Sequence, residues 1–146
     1  MVEGANWSPA EWELVREPQT SEYGSRPRDG GSQLAERFIA FGVGVLKLVN
    51  TLPNTFACRH IGGQLLRCGT SPGANYEEAR GAESRNDFIH KMGVVLKELK
   101  ESRYWLRVIS AAELLSLPEV KTLLKEAEEL CSIAAQSILT AKKNAR

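Results

Sequence analysis

The chain has 146 residues, of which 42% are hydrophobic and 25% are charged, and its formal net charge is +1 at pH 7. These values predict an ordinary globular protein with one main core. They exclude a membrane-spanning helix, because the longest apolar run, 38–46, ends at Lys47 and falls far short of the roughly 18 residues that a span requires. No basic or apolar leader opens the sequence, so we expect a cytoplasmic protein with no membrane association.

The cysteines predict neither a disulfide framework nor a zinc site. There are three of them, and an odd number without a secretion signal argues against pairing. Cys58 and Cys68 fall on one predicted helix, about 15 Å apart along its axis and beyond disulfide reach. The sequence has no C-x-x-C pair and no Cys/His cluster. We therefore expect buried free thiols and no metal or other cofactor.

The charges divide the chain into an acidic tail and a mildly basic remainder. Residues 1–31 carry a net charge of −3, and residues 32–146 carry +4. That excess permits nucleic-acid contact without requiring it. Within the tail, residues 17–31 are rich in proline and glycine and poor in apolar side chains, which predicts a disordered linker. Upstream of it, a capping pattern favours a short helix at about 9–16, with Trp7 and Trp12 placed as a hydrophobic staple.

Two helices are predicted in the first half of the remainder. The first spans about 32–52 and ends at Pro53. The second spans about 54–82 with a kink at Pro72, whose missing N–H removes one backbone bond. Apolar residues recur along both helices at intervals of three and four, as expected for helices that pack in a bundle. These positions are Leu34, Phe38, Phe41, Val45, Leu48, Leu52, Cys58, Ile61, Leu65 and Cys68.

Two further helices are predicted at about 84–110 and 117–143. A capping box from Ser84 to Asp87 opens the third helix. The same spacing of core positions continues through Phe88, Met92, Val95, Leu99, Ser102, Leu106, Ile109, Leu123, Ala127, Leu130, Ala134 and Ser137. Four long helices with short connections predict an all-α, antiparallel up-and-down four-helix bundle over residues 32–146.

Apolar residues outside these core positions favour an oligomer. They are Ile39, Val43, Leu46, Ile89, Leu96 and Trp105. Glycine is also frequent within the predicted helices, at Gly42, Gly44, Gly62, Gly63 and Gly93. Each such glycine costs about 1 kcal/mol relative to alanine, and close helix contact is the usual compensation. The alternative is a monomer with wide core faces.

Four short elements occur in a fixed order: Ser-Pro-x-x-Asn at 71–75, Glu-Ala at 78–79, Asp-Phe-Ile at 87–89 and Glu-x-x-Tyr-Trp-Leu at 101–106. With them, the sequence over about 34–140 resembles the bacterial four-helix-bundle proteins first found as products of intervening sequences in large-subunit ribosomal RNA genes. The resemblance implies an up-and-down bundle, commonly a homopentamer, with no established enzymatic activity. A distant relative is the accessory protein of diversity-generating retroelements, a basic pentameric barrel that contacts nucleic acid and a reverse transcriptase.

The family pattern assigns a structural role to a set of residues spread over two helices. They are Pro72, Asn75, Glu78, Ser84, Asp87, Glu98, Glu101 and Trp105. We expect Asn75 to bind backbone groups that Pro72 leaves free. Lys97 and Glu101 are spaced to form an i,i+4 ion pair. Acid/base catalysis by the paired acids Glu98 and Glu101 is the alternative interpretation.

Two enzyme hypotheses have partial support in the sequence. A di-metal site in a four-helix bundle needs two Glu-x-x-His pairs, and the nearest match, Asp87-x-x-His90, has no second pair. Arg85 and His90 fit the Arg-x4-His spacing, which resembles the metal-independent ribonuclease motif of the HEPN group. There the histidine would act as general acid or base and the arginine would stabilise a phosphorane. On one helix, however, the two residues are about 140° apart.

Lys100, Arg103 and Arg107 form a basic stripe at positions i, i+3 and i+7 of the third helix. Such a stripe is able to lie along a phosphate backbone, and a solvated face is the alternative. The sequence thus predicts a non-enzymatic oligomeric bundle, and the resemblance implies a homopentamer that binds nucleic acid or a nucleic-acid enzyme. A HEPN-like ribonuclease using Arg85 and His90 is the second hypothesis.

Overall fold

The computed structural model describes residues 30–115 and 118–144. They form four helices: α1 (Gly30–Thr51), α2 (Phe56–Arg80), α3 (Arg85–Ala111) and α4 (Pro118–Lys143). No strand occurs in these residues, so the predicted all-α helical bundle is confirmed for this part of the chain. The predicted tail helix at 9–16 and the linker lie outside the described residues.

Capping side chains set where α2 and α3 begin. The Thr55 hydroxyl accepts a hydrogen bond from the Cys58 N–H at 3.1 Å, so α2 begins at Phe56 and not at the predicted residue 54. The Ser84 hydroxyl accepts from the Asp87 N–H at 3.1 Å, as the capping box predicts. The Asp87 carboxylate accepts from the N–H of Glu83, one residue before the cap.

The helix α2 continues through Pro72 to Arg80 without a break. Asn75 donates from its amide to both the carbonyl and the hydroxyl of Ser71, each at 3.0 Å. A regular N–H at position 72 would instead donate to the carbonyl of Cys68. Asn75 thus anchors the turn that contains the proline, but it does not bond the carbonyl that the proline leaves without its helical donor.

The four helices form a ring in which each lies next to its neighbours, and among the described residues the backbones of the diagonal pairs α1/α3 and α2/α4 do not approach each other closely. Contacts between α1 and α2 run in opposite order along the two helices: Gly73 lies against Phe38, and Gly62 lies against Val49. The core is a continuous apolar interior. Its fully buried side chains include Phe41, Val45, Leu65, Met92, Leu99, Leu106, Ile109 and Leu130.

The contact between α1 and α2 is the tightest point that the glycines mark. A Cβ on Gly69 would lie 2.7 Å from a methyl of Val45, which is stiff because it is β-branched. Gly44 and Gly62 also face neighbouring helices closely, whereas Gly63 and Gly93 have nothing within 4 Å of an added Cβ. The expectation that the helical glycines mark close contacts therefore fails for Gly63 and Gly93.

The ring closes between α1 and α4 through an ion-paired arginine. Arg37 donates to Glu126 at 2.8 and 2.9 Å and to Glu129 at 2.9 Å. The two carboxylates raise the pKa of Arg37, which fixes the positive charge at this seam. Within the described part of the chain, no helix is long and apolar enough to cross a membrane.

Candidate nucleic-acid interface

The basic stripe lies on the outer side of α3. Leu99, Ser102 and Leu106 of α3 are fully buried, and at about 100° per residue Lys100, Arg103 and Arg107 fall within about 60° of one another, outside these core positions. Lys100 and Arg107 are exposed, and Arg103 is half-buried toward α4. The three predicted cations therefore share one side of the helix.

Some cations of the bundle form ion pairs with carboxylates, and others, such as Lys97 and Lys121, form none within the described residues. Arg37 and Arg67 each bind two glutamates, and Lys91 binds Glu78. Lys100, Arg103 and Arg107 form no ion pair with any residue in 30–115 or 118–144. Lys100 and Arg107 are therefore open to an anion from solvent, and Arg103 is partly so.

Cys131 of α4 lies close enough to the stripe for its thiol pKa to depend on the charges of Lys100 and Arg103. Burial raises the pKa of the Cys131 thiol, while nearby Arg103 and Lys100 lower it. A thiolate beside cations is stabilised by their field. The stripe therefore lies next to the seam between α3 and α4, and its positive charge acts on one buried thiol of α4.

The paired acids of the family motif face α2 and not the stripe. Arg67 of α2 donates to Glu98 at 3.2 Å and to Glu101 at 2.6 Å, and Trp105 donates from its indole N–H to Glu101 at 3.4 Å. The predicted ion pair between Lys97 and Glu101 is not among the salt bridges of the described residues, so that expectation is wrong. The single charge of Arg67 offsets one of these two carboxylates, and the three cations of the stripe outnumber the one that is left.

An aromatic row crosses from α2 to α3 beside the stripe. Tyr104 and Trp105 pack edge to face with their ring centroids 5.0 Å apart, and His60 of α2 packs against Trp105 at 5.9 Å. Phe56 precedes His60 by one helical turn and is 83% exposed. We call Phe56, His60, Trp105 and Tyr104 the aromatic row. Its outer rings, Phe56 and Tyr104, are open to solvent.

Arg85 and His90 occupy different environments. Arg85 is buried at 4% relative exposure, one turn before the core residue Phe88. His90 is on the surface of α3. The described residues contain no group of three or more His, Cys, Asp or Glu side chains able to hold a metal ion. Asp87 serves as a capping partner, as the capping box predicts.

The outer face of α1 is apolar. Ile39, Val43 and Leu46 are 57%, 45% and 47% exposed, and a groove of about 440 Å³ between α1 and α2 adjoins them, with Gly73 and Ala74 in its wall. We call Ile39, Val43 and Leu46 the apolar face. The other predicted surplus residues, Ile89, Leu96 and Trp105, instead pack partly buried against the core.

Residues 32–136 match the family model described as 23S rRNA-intervening sequence protein. The chain belongs to this family. It is also similar to a solved structure of a protein with unknown function from the S23 ribosomal protein family of Bacteroides thetaiotaomicron VPI-5482. The two chains are 31% identical with a TM-score of 0.66, and the match covers 72% of this chain and 97% of that one. Among curated proteins, none matches this chain.

Sequence reasoning found the stripe but missed the aromatic row. The family motif contains Tyr104 and Trp105, and the apolar pattern contains Trp105, but neither pattern includes Phe56 or His60. The row joins two helices, so it depends on the register between α2 and α3. The sequence does contain a sign that Arg85 is buried, because Arg85, Phe88 and Met92 follow the core spacing of three and four.

Proposed function

We propose that this family member is a non-enzymatic oligomeric bundle that binds nucleic acid through the outer face of α3. The observation that carries the proposal is the grouping of Lys100, Arg103 and Arg107 on one side of α3, where none of them forms an ion pair among the described residues. Solvated cations in a row release condensed counterions when they bind phosphates, and that release supplies most of the binding free energy.

The local charge of this face is more positive than the net charge of the chain indicates. Lys97 is exposed one turn before Lys100, which lengthens the row of cations to four. Glu98 and Glu101 are on the same helix but bind Arg67. A face of one sign raises the local concentration of an oppositely charged ligand even where the whole molecule is nearly neutral.

The apolar face of α1 is proposed as the contact with further copies of the same chain, most simply in a homopentamer. Exposed Ile39, Val43 and Leu46 form a ridge, and the groove beside it is lined by small residues of α2. Ridges that fit into grooves are the usual way in which helices pack. The resemblance to the pentameric bundles supports the fivefold state.

Assembly would strengthen binding without any new contact. Each copy carries one stripe, and α1 and α3 lie diagonally across the bundle, so self-association through the outer face of α1 leaves that of α3 open. Several weak sites on one particle bind a long strand with an avidity well above that of a single site.

The non-enzymatic part of the proposal rests on Arg85. A guanidinium that stabilises a phosphorane must reach the substrate, and Arg85 is buried in the core seam while His90 is exposed. Replacing His90 with alanine should therefore leave nucleic-acid binding intact. Under the ribonuclease hypothesis, the wild-type protein would cleave RNA and the His90→Ala variant would not.

The test replaces Lys100, Arg103 and Arg107 together with glutamate and measures binding by fluorescence anisotropy. We expect affinity for a labelled oligonucleotide to fall more than about tenfold in low salt, with the helical circular dichroism signal unchanged. The matched control replaces three exposed lysines of α4, Lys121, Lys125 and Lys142, with glutamate. It therefore makes the same change in net charge as the α3 variant.

The control decides the outcome. Loss of binding in the α3 variant alone supports the proposal. Equal loss in both variants means that only net charge matters and that the stripe is a solvated face. If the wild-type protein binds no oligonucleotide at about 50 mM salt, the nucleic-acid proposal is wrong.

A further inference from the structure

The aromatic row lies directly beside the stripe. Tyr104 follows Lys100 by four residues and precedes Arg107 by three, so its side chain neighbours both of them on the helix surface. Tyr104 is 58% exposed. The aromatic ring of Tyr104 therefore lies beside two cations that have no ion-pair partner within the described residues.

The inner rings of the row are held in fixed positions. Trp105 is bound through its indole N–H to Glu101, which is itself bound by Arg67. Tyr104 packs edge to face on Trp105 with an interplanar angle of 75°, and His60 does so at 79°. A ring that is already fixed loses little conformational entropy when a planar ligand stacks on it.

We propose that the ligand of this surface is single-stranded nucleic acid, whose unpaired bases stack on Tyr104 and Phe56 while its phosphates bind Lys100, Arg103 and Arg107. This inference rests on the proposed function and narrows it to one class of nucleic acid. Bases and phosphates alternate along a strand, so a surface that sets exposed rings beside cations engages both. Surfaces with this combination bind single strands with little sequence preference.

A duplex matches the surface less well. Its bases are stacked within the helix and offer only their edges in the grooves, so a duplex would use the cations and leave Tyr104 and Phe56 without a partner. The observation that separates the two ligands is therefore the pair of exposed rings and not the charge.

The experiment compares a labelled single strand of about 16 nucleotides with the duplex of the same length, using the full-length protein. Tyr104→Ala should weaken single-strand binding by about fivefold or more and leave duplex binding unchanged, since stacking on one aromatic ring contributes on that scale. Tyr104→Phe keeps the ring and should retain single-strand binding. Leu139→Ala is the matched control, because Leu139 is 52% exposed and lies on α4 away from the row.

The outcomes separate this inference from the proposed function. Equal affinity for both ligands, or single-strand binding that Tyr104→Ala does not change, overturns the inference, while loss of binding in the stripe variant would still uphold the proposed function. If neither ligand binds, both proposals are wrong, and a protein partner is then the better candidate for the aromatic row. Light scattering on every variant confirms that its assembly is unchanged.

Discussion

The helices α1 and α3 lie diagonally across the bundle and present opposite kinds of outer surface. Their inner faces are alike, since both bury a seam of apolar residues spaced by three and four. Outside, α1 exposes Ile39, Val43 and Leu46, whereas α3 exposes cations and a tyrosine. The seam determines the fold, and the outer faces are free to carry different functions. In our account, the face of α1 binds further copies and the face of α3 binds nucleic acid.

The largest effect is expected from charging the apolar face. Val43→Asp together with Leu46→Asp should reduce the particle in light scattering from a multiple of the chain mass to the 16.1 kDa of one chain, because buried unpaired carboxylates are costly. Leu139→Asp, at an exposed leucine of α4, should leave the mass unchanged. A wild-type protein that stays monomeric at micromolar concentration would contradict the assembly proposal.

The second-largest effect is expected from glycine-to-alanine changes, which compare the close packing of α2 against α1 with the open surroundings of Gly93 on α3. Gly69→Ala forces a methyl against Val45 of α1 and should lower the free energy of unfolding by about 1–3 kcal/mol. Gly93→Ala on α3 meets nothing within 4 Å and should raise it by about 1 kcal/mol. Urea unfolding measures both. Opposite signs confirm the difference in packing, and a stabilising Gly69→Ala would refute it.

The smallest effect uses Cys131 as a sensor of the stripe. Lys100 and Arg103 lower the pKa of this thiol against the effect of burial, which raises it. Replacing Lys100, Arg103 and Arg107 with glutamate should therefore raise the pKa of Cys131 further. The fraction of thiolate at alkaline pH then falls, and alkylation slows by about two- to tenfold.

Cys68 is the internal control for that measurement. Its thiol is fully buried, and burial raises its pKa from 9.0 to about 11, with a hydrogen bond from Ser102 opposing the shift. Neither Lys100 nor Arg103 acts on it. Peptide mass spectrometry resolves the two thiols. Equal slowing at Cys68 and Cys131 would point to a global change in stability and not to the field of the stripe.

The sequence predicts local features well and contacts between helices poorly. Spacing alone placed Phe38, Phe41, Val45, Leu99 and Leu106 in the core, where they are buried. The cap at Ser84 is also a local feature, because its hydroxyl binds the N–H of Asp87 three residues later. These features depend only on the periodicity of a helix and on hydrogen bonds over three or four residues.

The partners of Glu101 were mispredicted because they come from another helix. Arg67 is 34 residues away in the chain, and the register between α2 and α3 brings the two together. The same register places His60 beside Trp105. A single sequence carries no direct information on that register, so the aromatic row required the structure.

The most direct test of the central claim is photo-crosslinking of the wild-type protein to a single-stranded RNA that contains 4-thiouridine, with adducts mapped by mass spectrometry. Our account predicts adducts on α2 near Phe56 and on α3 around Tyr104. Adducts confined to α1 or to the far side of α4 would show that nucleic acid binds elsewhere, and would contradict the assignment of different functions to the two outer faces.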